Sequence, residues 1–143
     1  MLDEKAHIFR LRVYYEDTDA AGIVYYANYF KFAERARTEM LRSVKIDQNV
    51  LYTKTGVRFV VRSCAIDYLS PARLDDELEV HTKIQCVKGA SLTALQTVRR
   101  ARDAVVSLKL RIACIGRCGR PKRLPEEVAS GLQSYVQVRQ GMC

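Results

Sequence analysis

One long helical segment, followed by strands whose side chains alternate, most constrains how this chain can fold. From Tyr26 to Val44, apolar residues recur at helical spacing and predict a helix with one apolar face: Tyr29, Phe32, Ala33, Ala36, Met40, Leu41 and Val44. Beyond residue 57, apolar and polar residues alternate instead, which is typical of antiparallel strands with one buried face. A lone helix of this kind needs an apolar surface to cover, and a curved antiparallel sheet provides one. The pattern therefore predicts an α+β fold.

The remaining elements fit around this helix. Residues 8–15 alternate as a first strand, with the odd-numbered side chains apolar, and a short helix or turn is predicted from Asp47 to Thr55. Later strands are predicted at about 57–69, 78–86, 92–101 and 106–114, with a final short helix from Pro125. The sequence shows neither an internal repeat nor a linker, and 143 residues fit one domain, 1–143.

The acidic segment between the first strand and the long helix is the candidate for chemistry. Asp17 and Asp19 lie two residues apart, Gly22 follows, and the helix then begins. A carboxylate is thereby placed beside a helix N-terminus, whose unpaired N–H groups can polarise an oxygen. A base or nucleophile that faces such donors is what acyl transfer needs. Acids before a helix are also common as caps and turn formers, and we interpret Asp17 in that structural sense.

Four segments resemble one enzyme family in the same order along the chain. They are residues 16–39, 67–76, 88–92 and 121–125, and the resemblance extends over residues 8–128. The family is that of the 4-hydroxybenzoyl-CoA thioesterases, in particular its YbgC-like branch, which is associated with the Tol–Pal envelope system. The resemblance implies the hotdog fold, in which a curved antiparallel β-sheet wraps around a long central α-helix. It also implies an acyl-CoA thioesterase that releases free acid and CoA without a cofactor.

The resemblance also implies two catalytic positions. Asp19 corresponds to the single family aspartate, which acts as a general base or as a nucleophile, and the sequence leaves both open. Tyr26 corresponds to the residue whose backbone N–H polarises the thioester carbonyl. Members of the branch usually have His at this position, so the Tyr side chain leaves the backbone role intact but removes any imidazole from the mechanism.

Three further residues are candidates for substrate binding. Asn28 caps the helix, orients the loop or faces solvent, and the first two are favoured. Lys88 matches a basic stretch that contacts the phosphates of CoA in the family. Ser91 follows in the same turn, where it either reaches the thioester region or simply begins a strand. The resemblance further implies a homodimer or homotetramer with the acyl pocket between subunits.

The formal net charge of +8 favours anionic partners. Acyl-CoA fits it, and so do an acidic acyl carrier protein and peripheral association with the inner membrane. The densest basic cluster, residues 117–123, is either a solvated loop or a phosphate site. The alternative function is a non-enzymatic basic module that binds an acidic partner protein, lipid headgroups or nucleic acid. Nucleic acid is disfavoured because aromatic and basic residues are not interleaved on one sheet face. A hotdog hydratase would need a catalytic His near the helix, and the sequence has none there.

The cysteines and histidines predict no metal site. Cys114 and Cys118 are close in sequence, but only His7 and His81 are available to complete a zinc site. Five cysteines, an odd number, together with an N-terminus that lacks an apolar core, predict free thiols and a cytoplasmic location.

Overall fold

The computed structural model describes residues 5–136. Its strands are β1 (His7–Arg12), β2 (Arg58–Tyr68), β3 (Glu77–Lys88), β4 (Ser91–Arg100) and β5 (Asp103–Ile115). Its helices are α1 (Asn28–Ser43), α2 (Gln48–Thr55) and α3 (Glu126–Gly131), and single 3₁₀ turns lie at Tyr15–Asp17 and Leu132–Tyr135. The predicted order of elements is confirmed, with boundaries that differ by at most a few residues.

The five strands form one sheet in the order β1-β3-β4-β5-β2, and every neighbouring pair is antiparallel. The strands β3, β4 and β5 follow one another through short turns. The edge strands β1 and β2 instead pair with partners that are distant in sequence, as the pairs Phe9↔Val80 and Phe59↔Cys114 illustrate. Strict alternation of buried and exposed residues along β4 gives the sheet one apolar face.

The apolar face of α1 packs on that face of the sheet, as the helical spacing predicted. Phe32, Ala33 and Ala36 are buried in one cluster with Val80 and Val98. The two alanines leave room for the helix backbone to approach the sheet closely. Truncating Phe32 would leave a cavity that costs roughly 3–5 kcal/mol.

One polar residue of the sheet joins this contact. Gln96 on β4 is 1% exposed. Its Nε2 donates to the Ala33 carbonyl and to Thr82 Oγ1, each over 3.0 Å, and its Oε1 accepts from Arg37 Nη1 over 3.0 Å. A buried amide with these partners satisfied fixes the position of α1 on the sheet instead of destabilising the core.

Part of the basic cluster at residues 117–123 has a structural role. Arg117 and Lys122 donate hydrogen bonds to backbone carbonyls at the C-terminal end of α2, namely those of Tyr52, Thr53 and Thr55. Cations at this end of a helix satisfy orphan carbonyls and favour the helix dipole. Gly56, with φ +74°, ends the helix beneath Arg117, where a Cβ would lie 2.6 Å from Arg117 Cγ.

The prediction of free thiols holds for three of the described cysteines. Cys64 is half-buried, Cys114 is buried, Cys118 is exposed, and all three are free. The prediction is wrong for Cys86, which is disulfide-bonded. An odd number of cysteines leaves one thiol over but does not exclude a bonded pair. Cys143 lies outside the described residues.

Candidate active site

A tight loop between the first 3₁₀ turn and α1 presents Asp19. Thr18 and Val24 pair across the loop as an antiparallel bridge. The Asp19 N–H donates to the Ile23 carbonyl over 2.9 Å, and the Gly22 N–H donates to the Asp19 carbonyl over 3.0 Å. Gly22 has φ +79°, a left-handed conformation that glycine adopts without steric cost. The loop therefore has a defined shape and leaves Asp19 exposed.

Among the described residues, only one oxygen of the Asp19 carboxylate has a hydrogen-bond partner. Oδ1 accepts the Ala21 N–H over 2.9 Å, which forms an Asx turn. Across residues 5–136, Oδ2 accepts no hydrogen bond. One oxygen therefore orients the carboxylate, and the other is available to a ligand or to water.

Asp17 has the opposite environment and fastens the loop to α1. It is buried, and its Oδ2 accepts the Tyr14 N–H while its Oδ1 accepts from Asn28 Nδ2, each over 2.9 Å. Its carbonyl also accepts the Tyr25 N–H over 2.9 Å. Asn28, only 8% exposed, is thereby turned toward Asp17 and away from solvent. The contacts of its side chain are those of a residue that orients the loop.

Tyr26 lies just before α1, in the turn that leads into the helix. The predicted helix start at Tyr26 is two residues early, because the Asn28 N–H closes a tight turn onto the Tyr25 carbonyl over 2.8 Å. The Tyr26 N–H donates to no residue in the described part of the chain. Its carbonyl accepts the Tyr68 hydroxyl over 3.1 Å. The turn thus holds a free backbone donor beside the Asp19 loop.

Four tyrosines form a wall next to this donor. The ring centroids of Tyr25 and Tyr26 lie 4.7 Å apart, and Tyr68 meets Tyr26 and Tyr29 edge-on at 6.3 and 5.9 Å. The Tyr26 hydroxyl is the largest cause that raises the pKa of Tyr25, and the negative charge of Asp19 contributes. The Asp19 carboxylate therefore lies close enough to the tyrosines to affect the pKa of Tyr25. The sequence assigned no role to Tyr68, although it ends a predicted strand and lies in the segment 67–76 that resembles the family.

The connection between β2 and β3 braces the loop from the other side. Its Ala72 carbonyl accepts the Val24 N–H over 2.8 Å, and its Ala72 N–H donates to the Tyr29 hydroxyl over 3.3 Å. Arg100 holds the connection through the Pro71 carbonyl at 2.8 Å and through Asp76 Oδ2 at 3.1 Å. The candidate site is therefore built from segments far apart in sequence.

Lys88 and Ser91 lie together, but at the other end of the sheet. Ser91 Oγ donates to the Lys88 carbonyl over 3.3 Å and closes the β3–β4 turn. Both line an open depression of about 360 Å³ together with the cations Lys109 and Arg111. The Asp19 loop contacts the connection that precedes β3, whereas Lys88 ends β3, and a strand of 12 residues spans on the order of 35 Å. One chain alone therefore does not bring Lys88 to Asp19.

Two searches of the described residues gave no candidate, one for a metal centre and one for a membrane-spanning helix. From residue 5 to residue 136, no three side chains of the His, Cys, Asp and Glu types gather as metal ligands would. Within the same stretch, no helix combines the length and the apolar character needed to cross a membrane.

The fold agrees with the comparisons to known proteins. The family model described as the thioesterase superfamily matches residues 21–107, and the chain belongs to this family. Among its relatives, the chain is 42% identical over 122 residues to the acyl-CoA thioester hydrolase YbgC of Escherichia coli O6:H1, which covers 84% of this chain and 90% of the relative. The acyl-CoA thioesterase YbgC of Haemophilus influenzae is 43% identical, with 84% and 89% covered.

A solved structure gives the same result. A probable thioesterase from Bartonella henselae superposes with a TM-score of 0.81 at 36% identity, covering 84% of this chain and 99% of that one. The family and the hotdog fold expected from the sequence are confirmed.

Proposed function

We propose that this chain hydrolyses acyl-CoA to a free acid and CoA, with Asp19 as the catalytic carboxylate. Thioester hydrolysis is the activity of this chain, since relatives that match most of its length are acyl-CoA thioester hydrolases. The observation that carries the assignment of Asp19 is its carboxylate. One oxygen is anchored and the other is free, beside a backbone N–H of Tyr26 that donates to no described residue.

These two groups account for both needs of the reaction. The thioester carbonyl oxygen becomes negative as the carbon is attacked, and the Tyr26 N–H beside the start of α1 is a preorganised donor for it. Asp19 either takes a proton from the attacking water or attacks the carbon itself to form an acyl anhydride that water then cleaves. By either route, the acyl carbon gains the oxygen of water, the C–S bond breaks, and the sulfur of CoA receives a proton.

The edge strand β2 supports a homodimer. It is the last strand on one side of the sheet, and Val60 and Val61 are 41% and 47% exposed. An unpaired edge with apolar side chains is a template for pairing with a second chain. The other edge, β1, is protected by charged side chains, since Arg10 pairs with Glu79 and Arg12 with Glu77. Sedimentation should show at least a dimer, and Val61→Lys should weaken it whereas Ile8→Lys on β1 should not.

Such a dimer also gives Lys88 and Ser91 a role. Two β2 edges related by a two-fold axis run antiparallel, so the Tyr68 end of one copy lies beside the Arg58 end of the other. Ser91 pairs with Ala113, which in turn pairs with Val60 near that Arg58 end. In such a dimer, the depression lined by Lys88 and Ser91 in one copy would therefore lie near the Asp19 loop of the other copy. Lys88, with Lys109 and Arg111, would bind the phosphates of CoA there.

Other parts of the proposal rest on charge and cysteines. The net charge of +8 would also attract an acidic acyl carrier protein or an anionic membrane surface. We place the protein in the cytoplasm, in lipid metabolism. The free thiols of Cys64, Cys114 and Cys118 support a reducing compartment, whereas the disulfide at Cys86 favours an oxidising one. The alternative of a non-enzymatic basic module is not supported, since relatives are hydrolases and Arg117 and Lys122 cap α2.

The test is thiol release from a panel of acyl-CoA esters by the wild type and by Asp19→Asn. The amide keeps the size of the side chain but removes the charge, so kcat should fall roughly 10²–10⁴-fold with the melting temperature nearly unchanged. Glu16→Gln, an exposed acid of the same segment, is the matched control and should retain turnover. Full turnover by folded Asp19→Asn would remove Asp19 from the mechanism.

A further inference from the structure

One cation in the interior of the molecule has no part in the proposed hydrolysis. A cavity of about 140 Å³ lies between α1 and the sheet, and its walls are mostly aliphatic, including Met40, Val61, Ile84 and Leu92. Arg37 lines the same cavity. Burial lowers the pKa of its guanidinium, and the Glu34 carboxylate opposes this effect. The cavity therefore contains a charge that has lost much of its hydration.

Arg37 has no carboxylate counterion among the described residues. Its guanidinium bonds to the neutral Gln96 Oε1, and within residues 5–136 it forms no ion pair. Glu34, one helical turn before Arg37, lines the same cavity and accepts a hydrogen bond from Thr38 Oγ1 over 2.8 Å, while Glu39 pairs with Arg42. Other arginines do form ion pairs with carboxylates: Arg10, Arg12, Arg42 and Arg100. Since a half-buried, unpaired charge is costly, a ligand that supplies an anion would be bound strongly there.

The cavity lies farther along α1 and β2 than the candidate active site does. At one end, Tyr26 of the turn before α1 bonds to Tyr68 of β2. Further along, Arg37 of α1 lies near Cys64 of β2, because the guanidinium opposes the rise that burial causes in the pKa of that thiol. Helix α1 and strand β2 thus run in opposite directions, and residues of both line the cavity.

The distance between Tyr26 and Arg37 limits the length of the acyl chain. From residue 26 to residue 37, a rise of 1.5 Å per residue gives about 16 Å. A long helical side chain leans back toward the N-terminus, which shortens the gap to on the order of 10 Å. An extended carbon chain advances roughly 1.3 Å per bond, so a chain of about eight carbons spans it.

We propose, resting on the thioesterase function above, that this site takes acyl groups with a carboxylate at the far end and that Arg37 binds that carboxylate. The substrates are then CoA monothioesters of medium-chain dicarboxylic acids. The aliphatic walls hold the methylenes and the guanidinium holds the terminal anion. Arg37 determines specificity and takes no part in bond breaking.

The test compares two CoA esters of equal length, octanedioyl-CoA and octanoyl-CoA. The wild type should have the higher kcat/KM for octanedioyl-CoA. In Arg37→Met this value should fall about 10- to 100-fold, chiefly through KM, while octanoyl-CoA changes little. Arg37→Lys should keep part of the preference. The matched control is Arg35→Met, whose residue is exposed on the same helix and should leave both values unchanged.

The outcomes separate this inference from the function on which it rests. Octanoyl-CoA turnover by Arg37→Met also reports that the variant folds. A wild type that hydrolyses octanoyl-CoA but shows no preference for octanedioyl-CoA overturns the role of Arg37 and leaves the thioesterase intact. An equal loss on both esters in Arg37→Met overturns it as well. A wild type that hydrolyses no acyl-CoA overturns the proposed function and this inference together.

Discussion

The hydroxyl of Tyr68, at the end of β2, donates to the backbone carbonyl of Tyr26, 42 residues earlier, over 3.1 Å. This bond joins the edge of the sheet to the turn before the central helix. It restrains the backbone of Tyr26 beside the N–H that the proposed mechanism uses. A donor that is already oriented stabilises a developing negative charge without reorganisation during the reaction.

Removing this hydroxyl should therefore affect turnover more than stability. We expect Tyr68→Phe to lower kcat about 3- to 10-fold, because a single hydrogen bond of a partly exposed group contributes about 0.5–1.5 kcal/mol. Steady-state kinetics and thermal unfolding measure the two effects. Tyr52→Phe is the control, since the hydroxyl of Tyr52 has no described partner while its ring lies beneath Arg58. Equal kinetics in the two variants would contradict the role of Tyr68.

The buried acid of the loop should show the reverse pattern. In Asp17→Asn, an NH₂ group replaces one of the two carboxylate oxygens. This NH₂ group faces either the Tyr14 N–H or Asn28 Nδ2, and because both groups are donors, one of the two hydrogen bonds is lost. We expect the free energy of unfolding to fall by about 1–3 kcal/mol. Denaturant unfolding measures it. Adding Asn28→Asp exchanges the two groups and should recover part of the loss, whereas a double variant no more stable than the single one would argue against this bond.

His7 should make stability depend on pH. Burial lowers its pKa, with Glu39 opposing, so below the ordinary value of 6.5 the unfolded chain takes up a proton that the folded chain resists. The free energy of unfolding should therefore decrease as the pH falls through 6.5. His7→Phe keeps an aromatic ring against Tyr135, which now meets His7 edge-on at 5.8 Å, but does not titrate. Melting temperatures at about pH 7.5 and 5.5 should differ less in the variant, and an unchanged difference would refute the assignment.

The free thiols should be dispensable for turnover. Burial raises the pKa of Cys64 and of Cys114, which disfavours the reactive thiolate, whereas Cys118 is exposed. Iodoacetamide should modify Cys118 first, as peptide mass spectrometry can follow, while most of the acyl-CoA turnover persists. Activity that disappears in step with labelling of Cys118, and that Cys118→Ser protects, would show that this thiol is needed.

The sequence specified the local elements well because their signals are local. The helical spacing from Tyr29 to Leu41 and the alternation along β4 each reflect one buried face, so the type of element follows from it and its boundaries follow to within a few residues. Asp47 and Gly56 likewise begin and end α2, as an N-cap and as a left-handed C-cap. Such signals need no knowledge of the rest of the chain.

Features of the site that depend on distant contacts could not be predicted in this way. Nothing around Tyr68 indicates a bond to Tyr26, and the spacing of Asp17 and Asp19 does not reveal that one is buried and the other exposed. The pairing of β2 with β5 likewise follows from the assembled sheet. Lys88 and Asn28 were both predicted to bind the substrate, Lys88 at the phosphates of CoA, yet the length of β3 separates Lys88 from Asp19.

The order of strands in the sheet has a consequence for how the enzyme is made. The β3–β4–β5 meander needs only contacts between neighbours, so it can form early, whereas β1 pairs His7 with Thr82 and must close a long stretch of chain. The bond of Tyr68 to Tyr26 and that of Val24 to Ala72 also join distant segments, so we expect the site to assemble late. During refolding, secondary structure should therefore return before hydrolysis does, and a newly synthesised chain is inactive until its last pairings close.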